Sequence, residues 1–331
     1  MQFRACYRAP TKVILFGEHF VVRGAPALAA ATSLYTYACW RRTSEHYTIL
    51  HSLNLGVRCR VYPRNECGAS MEGFARIAEE AGVEGVEVVV YTEAPIGAGL
   101  GSSASASTVV AAALLDAAGS LEKSLVAELA FEAEKVFHGR PSGIDNTVAL
   151  EGGFIVYYGR MVYERLEAPH RLEAVIADTG VPRSTRTAVE RVLERYSRLR
   201  SILNHVYLAA SLLVWRAVRA LEEGDARLLG ELMDVNHGLL YSIGVSTPEI
   251  ERLVWSARRA GALGAKLTGA GLGGVILALV EPGTAPVVAK ALLEEGARRV
   301  YPVELGAPGL EEVEPETVFS LVQERARTTG G

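Results

Sequence analysis

The sequence predicts an α+β protein of two domains. Three observations carry this prediction. Strand-like apolar stretches crowd the first third of the chain, whereas apolar residues at a 3.6-residue period dominate residues 188–260. Two glycine-rich segments lie far apart, one in each half, and each adjoins a strongly apolar strand. At 331 residues the chain is long for one core, so a division is expected.

Residues 3–9 alternate loosely, Pro10 interrupts them, and 12–16 read as a short apolar strand. The charged turn Gly17-Glu18-His19 precedes a long apolar stretch over 25–40. Residues 43–68 read as two or three further strands, with Pro63-Arg-Asn65 at a turn. Over 68–82 the spacing predicts a helix, with Met71, Phe74, Ile77 and Ala78 on one face. Residues 86–91 alternate as a strand, and 104–118, nearly all Ala, Val and Leu, read as a buried helix. Another helix is expected over 121–137, with Gly139 just past its end and Pro141 as its stop. Gly152-Gly153 opens a hairpin-like stretch over 154–163, and 172–177 is a strand. Helices follow over 188–200, 202–222, 225–241 and 246–260, the last opened by Ser246-Thr247-Pro248. The remaining expectations are a core strand over 275–280, a helix over 287–295 and an edge strand over 300–305. A charged tail begins at Glu311, and 325–331 are expected to be mobile. The domain crossing falls near 178–186, which gives domains of about 1–170 and 171–331.

Hydrophobic residues make up 49% and charged residues 22%, as in ordinary globular proteins. A net charge of −4 offers no electrostatic case for nucleic acid or an anionic membrane. Cys6, Cys39, Cys59 and Cys67 form no C-x-x-C pair, so neither a disulfide scaffold nor a zinc site is expected, and a reducing cytoplasm fits. Arg4 and Arg8 break any apolar leader, so no signal peptide is expected. The longest apolar candidate for a membrane span, 206–215, is too short to cross.

The chemistry concentrates in three segments. In Glu93-Ala-Pro-Ile-Gly-Ala-Gly-Leu-Gly-Ser-Ser103, glycines at 97, 99 and 101 stand between a strand and a helix, with Ser102 and Ser103 at the N-cap position. Free N–H groups and the positive helix end would favour a phosphate. The loop also fits a tight serine-capped turn, and it matches neither a Walker A loop nor the dinucleotide fingerprint. In the second segment, Glu134 near a helix end and Asp145 in a Gly/Pro/Ser loop can converge on one cleft. The third segment, Lys266-Leu-Thr-Gly-Ala-Gly-Leu-Gly-Gly274, places a second glycine loop in the C-terminal half and makes an interdomain cleft plausible.

Lys12-Val-Ile-Leu-Phe-Gly-Glu-His19, Pro95-Ile-Gly-Ala-Gly-Leu-Gly-Ser-Ser103 and Lys266-Leu-Thr-Gly-Ala-Gly-Leu-Gly-Gly274 resemble, in order and spacing, the three motifs of the GHMP kinases. The first of these, His138-Gly-Arg-Pro-Ser-Gly-Ile-Asp-Asn146 and Val181-Pro-Arg-Ser-Thr185 resemble the mevalonate kinase branch. In the last stretch Ser184 replaces that branch's Asn. The resemblance implies the two-domain GHMP kinase fold, with a ribosomal-protein-S5-like N-terminal domain and a ferredoxin-like C-terminal domain. It implies ATP and mevalonate as substrates, Mg²⁺ as the metal, and a family in which homodimers are common. By resemblance, Pro95, Gly97, Ala98, Gly99, Leu100, Gly101, Ser102, Ser103 and Ala104 form the nucleotide loop. Glu134 and Ser103 hold the metal, and Asp145 and Lys12 are catalytic. Glu18, His19 and Thr185 line the mevalonate pocket, and Gly269, Gly271 and Gly273 brace the phosphate loop. Arg140 and Arg183 are candidates for the substrate carboxylate. Galactose, the mevalonate 3-hydroxyl and a non-catalytic member of the fold remain as alternatives.

Overall fold

The computed structural model describes residues 2–139, 141–159, 162–182 and 184–329, and from residue 324 onward it describes the backbone alone. Arg140 and Arg183, the two candidates for the substrate carboxylate, lie outside the described residues. The chain begins with β1 (Ala5–Phe16), β2 (Ala27–Arg42), β3 (Thr48–Ser52) and β4 (Val57–Tyr62). It continues with α1 (Glu72–Ala81), β5 (Val86–Thr92), α2 (Ser102–Ala118), α3 (Lys123–His138), α4 (Ile144–Glu151), β6 (Phe154–Gly159) and β7 (Val162–Leu166). The second half holds β8 (Leu172–Asp178), α5 (Thr185–Arg198), α6 (Arg200–Glu222), α7 (Ala226–Ser242), α8 (Pro248–Arg259), β9 (Gly264–Leu267), β10 (Val275–Val280) and α9 (Ala285–Glu294). It closes with β11 (Arg299–Leu305), β12 (Glu311–Val313) and α10 (Pro315–Thr329). The α+β expectation is met.

The long antiparallel pair β1 and β2 is the frame. Both strands are buried on both faces for most of their length, which is why they read as apolar runs rather than alternating ones. Strand β2 serves several neighbours in turn. Its end pairs with β5, its start with β6, and Thr32 between them meets Leu305 of β11. The sheet therefore runs β4-β3-β5-β2-β11-β8-β10-β9, and of its pairings only β3 with β5 is parallel among the described residues. Helices α1, α2 and α3 bury Ile77, Val110, Leu114 and Leu129 against Leu50 and Val88. A second apolar cluster crosses from Phe16, Leu28 and Leu100 to Val214, Leu277 and Leu305, so the two halves share buried surface.

Several expectations need correction. Pro10 does not end a strand: β1 runs through it with a register shift between Pro10 and Lys12, where a missing N–H is tolerated. Strand β11 is an edge over 299–304, where it pairs with β8 alone, but Leu305 at its end meets Thr32 of β2 and so joins the two parts of the sheet. Asp145 is not in a loop but in the first turn of α4, a short helix opened by Gly143. Ser102 and Ser103 do not cap α2: Gly101 occupies the N-cap, and the serines form the first turn. The charged tail that begins at Glu311 forms β12, which pairs with β1, and α10, which buries Val318 and packs Phe319 on Phe3.

The cysteine expectation also fails. Cys6 and Cys39 face each other across β1 and β2 and form a disulfide, and Cys59 bonds Cys67. Spacing could not show this, because strand register brings Cys6 to Cys39 across 33 residues. The bridges remove the argument from cysteine usage for a reducing compartment, although disulfides also occur inside cells of some hyperthermophiles. The stretch 206–215 belongs to a longer helix, α6, whose length and mean hydropathy of 1.3 would allow a membrane crossing. That helix buries Leu203, Ala210, Leu213, Val214, Ala217 and Leu221 in the core.

Candidate active site

A cleft of about 1080 Å³ runs between the two glycine loops. Lys12, Glu18, His19, Gly97, Gly99, Gly101, Ser102, Ser103, Glu134, Asp145 and Thr185 all line it. The sequence spreads these residues over most of the chain; the sheet and three helix starts gather them.

Lys12 lies on β1, nearly buried, with its backbone N–H donating to Leu100 O at 2.8 Å. That bond ties the strand to the first glycine loop. The Lys12 ammonium lies 3.2 Å from Asp145 Oδ1 and 3.4 Å from Gly99 O. Asp145 is held in place by α4, whose Asn146 donates to Ala130 O of α3 at 3.2 Å. Gly101 sits where a side chain would be strained. Its φ is +71°, and a Cβ there would lie 3.1 Å from Lys12 Cγ and 3.4 Å from Asp145 Oδ2.

Glu134 reaches the same cleft from α3. It is 2% exposed, and its Oε1 has no hydrogen-bond partner. Its Oε2 accepts from Ser103 Oγ at 3.3 Å and lies 3.5 Å from His138 Nε2. Ser103 Oγ is also 3.0 Å from His138 Nε2. Burial, and next the negative charge of Asp145, push the Glu134 carboxyl up to about 7. An orphaned, desolvated carboxylate oxygen beside a hydroxyl is a donor set short of a cation. It suits a hard ion that keeps waters and phosphate oxygens as its other ligands. No cluster of three or more His, Cys, Asp or Glu side chains occurs among the described residues, so an ion here would rely on such additional ligands.

Family models for the GHMP kinases N terminal domain and the GHMP kinases C terminal match residues 70–153 and 217–298. The mevalonate kinase of Aeropyrum pernix is 38% identical, over 88% of this chain and 96% of its own. That of Pyrococcus horikoshii is also 38% identical, over 86% and 90%. This chain belongs to the mevalonate kinase family, within the GHMP kinases. It is an ATP-dependent kinase. Among solved structures, L. major mevalonate kinase in complex with R-mevalonate superposes with a TM-score of 0.82 at 29% identity, over 91% of this chain and 96% of that one. Lactococcus lactis galactokinase complexed with galactose shares the fold at 22% identity and a TM-score of 0.74, over 93% and 95%.

In this family member the expected nucleotide loop splits into two sets. Gly97, Gly99, Gly101, Ser102 and Ser103 face the cleft. Ala98, Leu100 and Ala104 turn their side chains into the core, so they can offer only backbone, and Pro95 does not line the cleft. In the second glycine loop, Gly269 and Ala270 reach the cleft. Gly271 and Gly273 instead press against the backbone of Val245 and Val181, where a Cβ would come within 2.4 Å and 2.6 Å of a carbonyl oxygen. His19, with φ of +59°, lies 2.9 Å through Nε2 from Ala270 O. Thr185 opens α5, exposed at the cleft wall, behind the N-cap Ser184 that accepts from the Thr187 N–H. Glu18 borders the cleft, yet it is 1% exposed and both carboxylate oxygens are engaged, one by Lys266 and one by Asn236.

Sequence reading missed Leu50, Phe74 and Phe137, which give one end of the cleft an apolar wall. In sequence they look like any core positions. It also missed His138 as a neighbour of Ser103, although His138 stands in a quoted motif one helical turn after Glu134.

Proposed function

We propose that this kinase transfers the γ-phosphoryl group of ATP to the C5 hydroxyl of mevalonate, giving 5-phosphomevalonate and ADP, an early step of isoprenoid synthesis. The observation that carries the reading is the Lys12–Asp145 pair at 3.2 Å, set beside a glycine loop at the start of a long helix. Phosphoryl transfer needs positioning and charge neutralisation more than covalent chemistry. N–H groups of 97–103 at the positive end of α2 would hold the nucleotide phosphates. The hydroxyl oxygen forms a bond to the γ-phosphorus, the bond from phosphorus to the ADP oxygen breaks, and Asp145 takes the hydroxyl proton. The Lys12 ammonium, 3.2 Å from Asp145, stabilises the growing negative charge on the attacking oxygen.

The orphaned Glu134 Oε1 and the Ser103 hydroxyl fit Mg²⁺. When bound, the ion would neutralise charge on the phosphates. Glu134 and Ser103 then serve to orient it, and His138 helps to fix the Ser103 hydroxyl. His19 and Thr185 are proposed to line the mevalonate side of the cleft. The apolar wall of Leu50, Phe74 and Phe137 suits the flat face of a nucleotide base. The same reading includes a domain division near residue 170, a homodimer and a cytoplasmic location. Sedimentation velocity decides the dimer.

The test is ADP release with Mg-ATP and mevalonate, phosphomevalonate, galactose or homoserine, with the product identified by ³¹P NMR. Turnover of mevalonate to a primary phosphate ester is the expected result. Turnover of galactose or homoserine alone would overturn the substrate assignment and leave the kinase site standing.

A further inference from the structure

The turn 17–19 is held to the C-terminal half by a row of buried polar contacts. Thr268 Oγ1 accepts from the Ile14 N–H at 3.0 Å and donates to Ile14 O at 2.9 Å. The Lys266 ammonium, fully buried, donates to Leu267 O at 2.7 Å, to Ile14 O at 3.3 Å and to Glu18 Oε1. Asn236 of α7, also fully buried, donates to Glu18 Oε2 at 3.1 Å. Behind Lys266, the Leu267 N–H donates to His237 Nδ1, whose Nε2 lies 3.1 Å from Glu251. The turn itself is strained. His19 is left-handed without being glycine, and a Cβ on Gly17 would meet Pro26 O at 2.4 Å. Such conformations persist only when their surroundings over-determine them.

We propose that Glu18 is a positioning residue rather than a substrate ligand: clamped by Lys266 and Asn236, it locks the end of β1 onto the second glycine loop and so sets Lys12 in the cleft, while His19 keeps its own tie to Ala270 O. A substrate ligand needs an oxygen that the substrate can reach, and Glu18 is 1% exposed, with each oxygen turned to a buried donor, Lys266 or Asn236. Lys12 is two residues from Ile14, whose N–H and carbonyl are both held by Thr268. A slip of this clamp therefore reaches the Lys12–Asp145 pair directly. Removing one charge of a buried pair leaves the other uncompensated, whereas removing both need not.

This inference rests on the mevalonate kinase reading, so wild-type turnover of mevalonate is established first. If another alcohol is the substrate, the same ratios are read with that alcohol, which keeps the two failures apart. Glu18→Gln and Lys266→Met are each expected to lower kcat by about ten- to a hundredfold through misplacement, with KM for mevalonate near the wild-type value. The double variant Glu18→Gln/Lys266→Met is expected to regain most of that loss. A double variant with kcat still lost and KM for mevalonate raised about tenfold or more overturns the proposal, because Glu18 would then touch substrate. Where the single variants do not fold, Asn236→Ala keeps both charges and decides the matter. A fall in kcat at constant KM supports the clamp, and unchanged kinetics refute it.

Discussion

Gly101→Ala tests the heart of the site with a single methyl group. Two effects add. The residue caps α2 at φ of +71°, where a non-glycine residue costs roughly 1–2 kcal/mol. The new Cβ would also sit 3.1 Å from Lys12 Cγ and 3.4 Å from Asp145 Oδ2, so the lysine must give by a few tenths of an ångström. Lys12 is nearly buried and bonded through its own N–H to Leu100 O, so its backbone cannot follow. The shift falls on the 3.2 Å contact with Asp145. Displacements of this kind cost about ten- to a hundredfold in rate. The control is Gly119→Ala, at the other end of the same helix. Its φ is +73°, but no atom lies within 4 Å of the added Cβ. Urea unfolding should show both variants less stable by roughly 1–2 kcal/mol, and a coupled ADP assay should show a kcat loss for Gly101→Ala alone. Equal kcat losses in both, or a folded Gly101→Ala enzyme at full kcat, would refute the contact argument.

Asp145→Asn should lower kcat by about 10²–10⁴-fold while nucleotide still binds; equilibrium dialysis with ATP and single-turnover rates check the two halves. Glu134→Gln should raise the Mg²⁺ concentration needed for half-maximal turnover, and an unchanged metal titration argues against Glu134 as a ligand. The same substitution reveals the strain of the buried carboxyl. Its pKa rises from 4.5 to about 7 on folding, so in EDTA the wild type loses stability relative to Glu134→Gln as pH climbs between those values. The gap should reach about 3 kcal/mol above pH 7 and vanish below pH 4.5, read by urea unfolding. Cys6→Ala/Cys39→Ala, which opens the bridge across 33 residues, should cost about 2–4 kcal/mol with kcat retained at low temperature. Equal stability to the wild type under oxidising conditions would argue that the bridge does not form.

The parts of this protein legible in its sequence are those set by local chemistry. A helix of Ala, Val and Leu after a glycine loop shows its burial directly, and Gly139 ends α3 with φ of +73° as its position implies. Asp145 was legible as a residue but not as a helical one, because Pro141, Ser142 and Gly143 resemble a loop until Asn146 is seen bonded to α3. Strand β11 reads as an edge strand because Arg299, Pro302 and Glu304 are exposed, and its link to β2 through Leu305 leaves no local pattern. The serine pair resembles an N-cap in sequence, but Gly101 takes the cap, which places Ser103 in the first turn, where its hydroxyl donates to Glu134 Oε2.

What no local pattern could supply is the pairing of distant charges. Glu18 and Lys266 are 248 residues apart, and each alone looks like a surface residue in a glycine-flanked turn. Their burial together follows from the end of β1 meeting the loop that leaves β9, where Thr268 bonds both backbone groups of Ile14. This matters for how a shared motif is interpreted. A Gly-Glu-His turn invites the inference that both polar side chains meet substrate. Here the two part company: His19 reaches the cleft and bonds the Ala270 carbonyl, while Glu18 turns inward to a buried cation. Two adjacent residues thus serve different tasks, one at the cleft surface and one in the joint beneath it, and the joint is what lets residues from both halves of the chain keep a fixed distance.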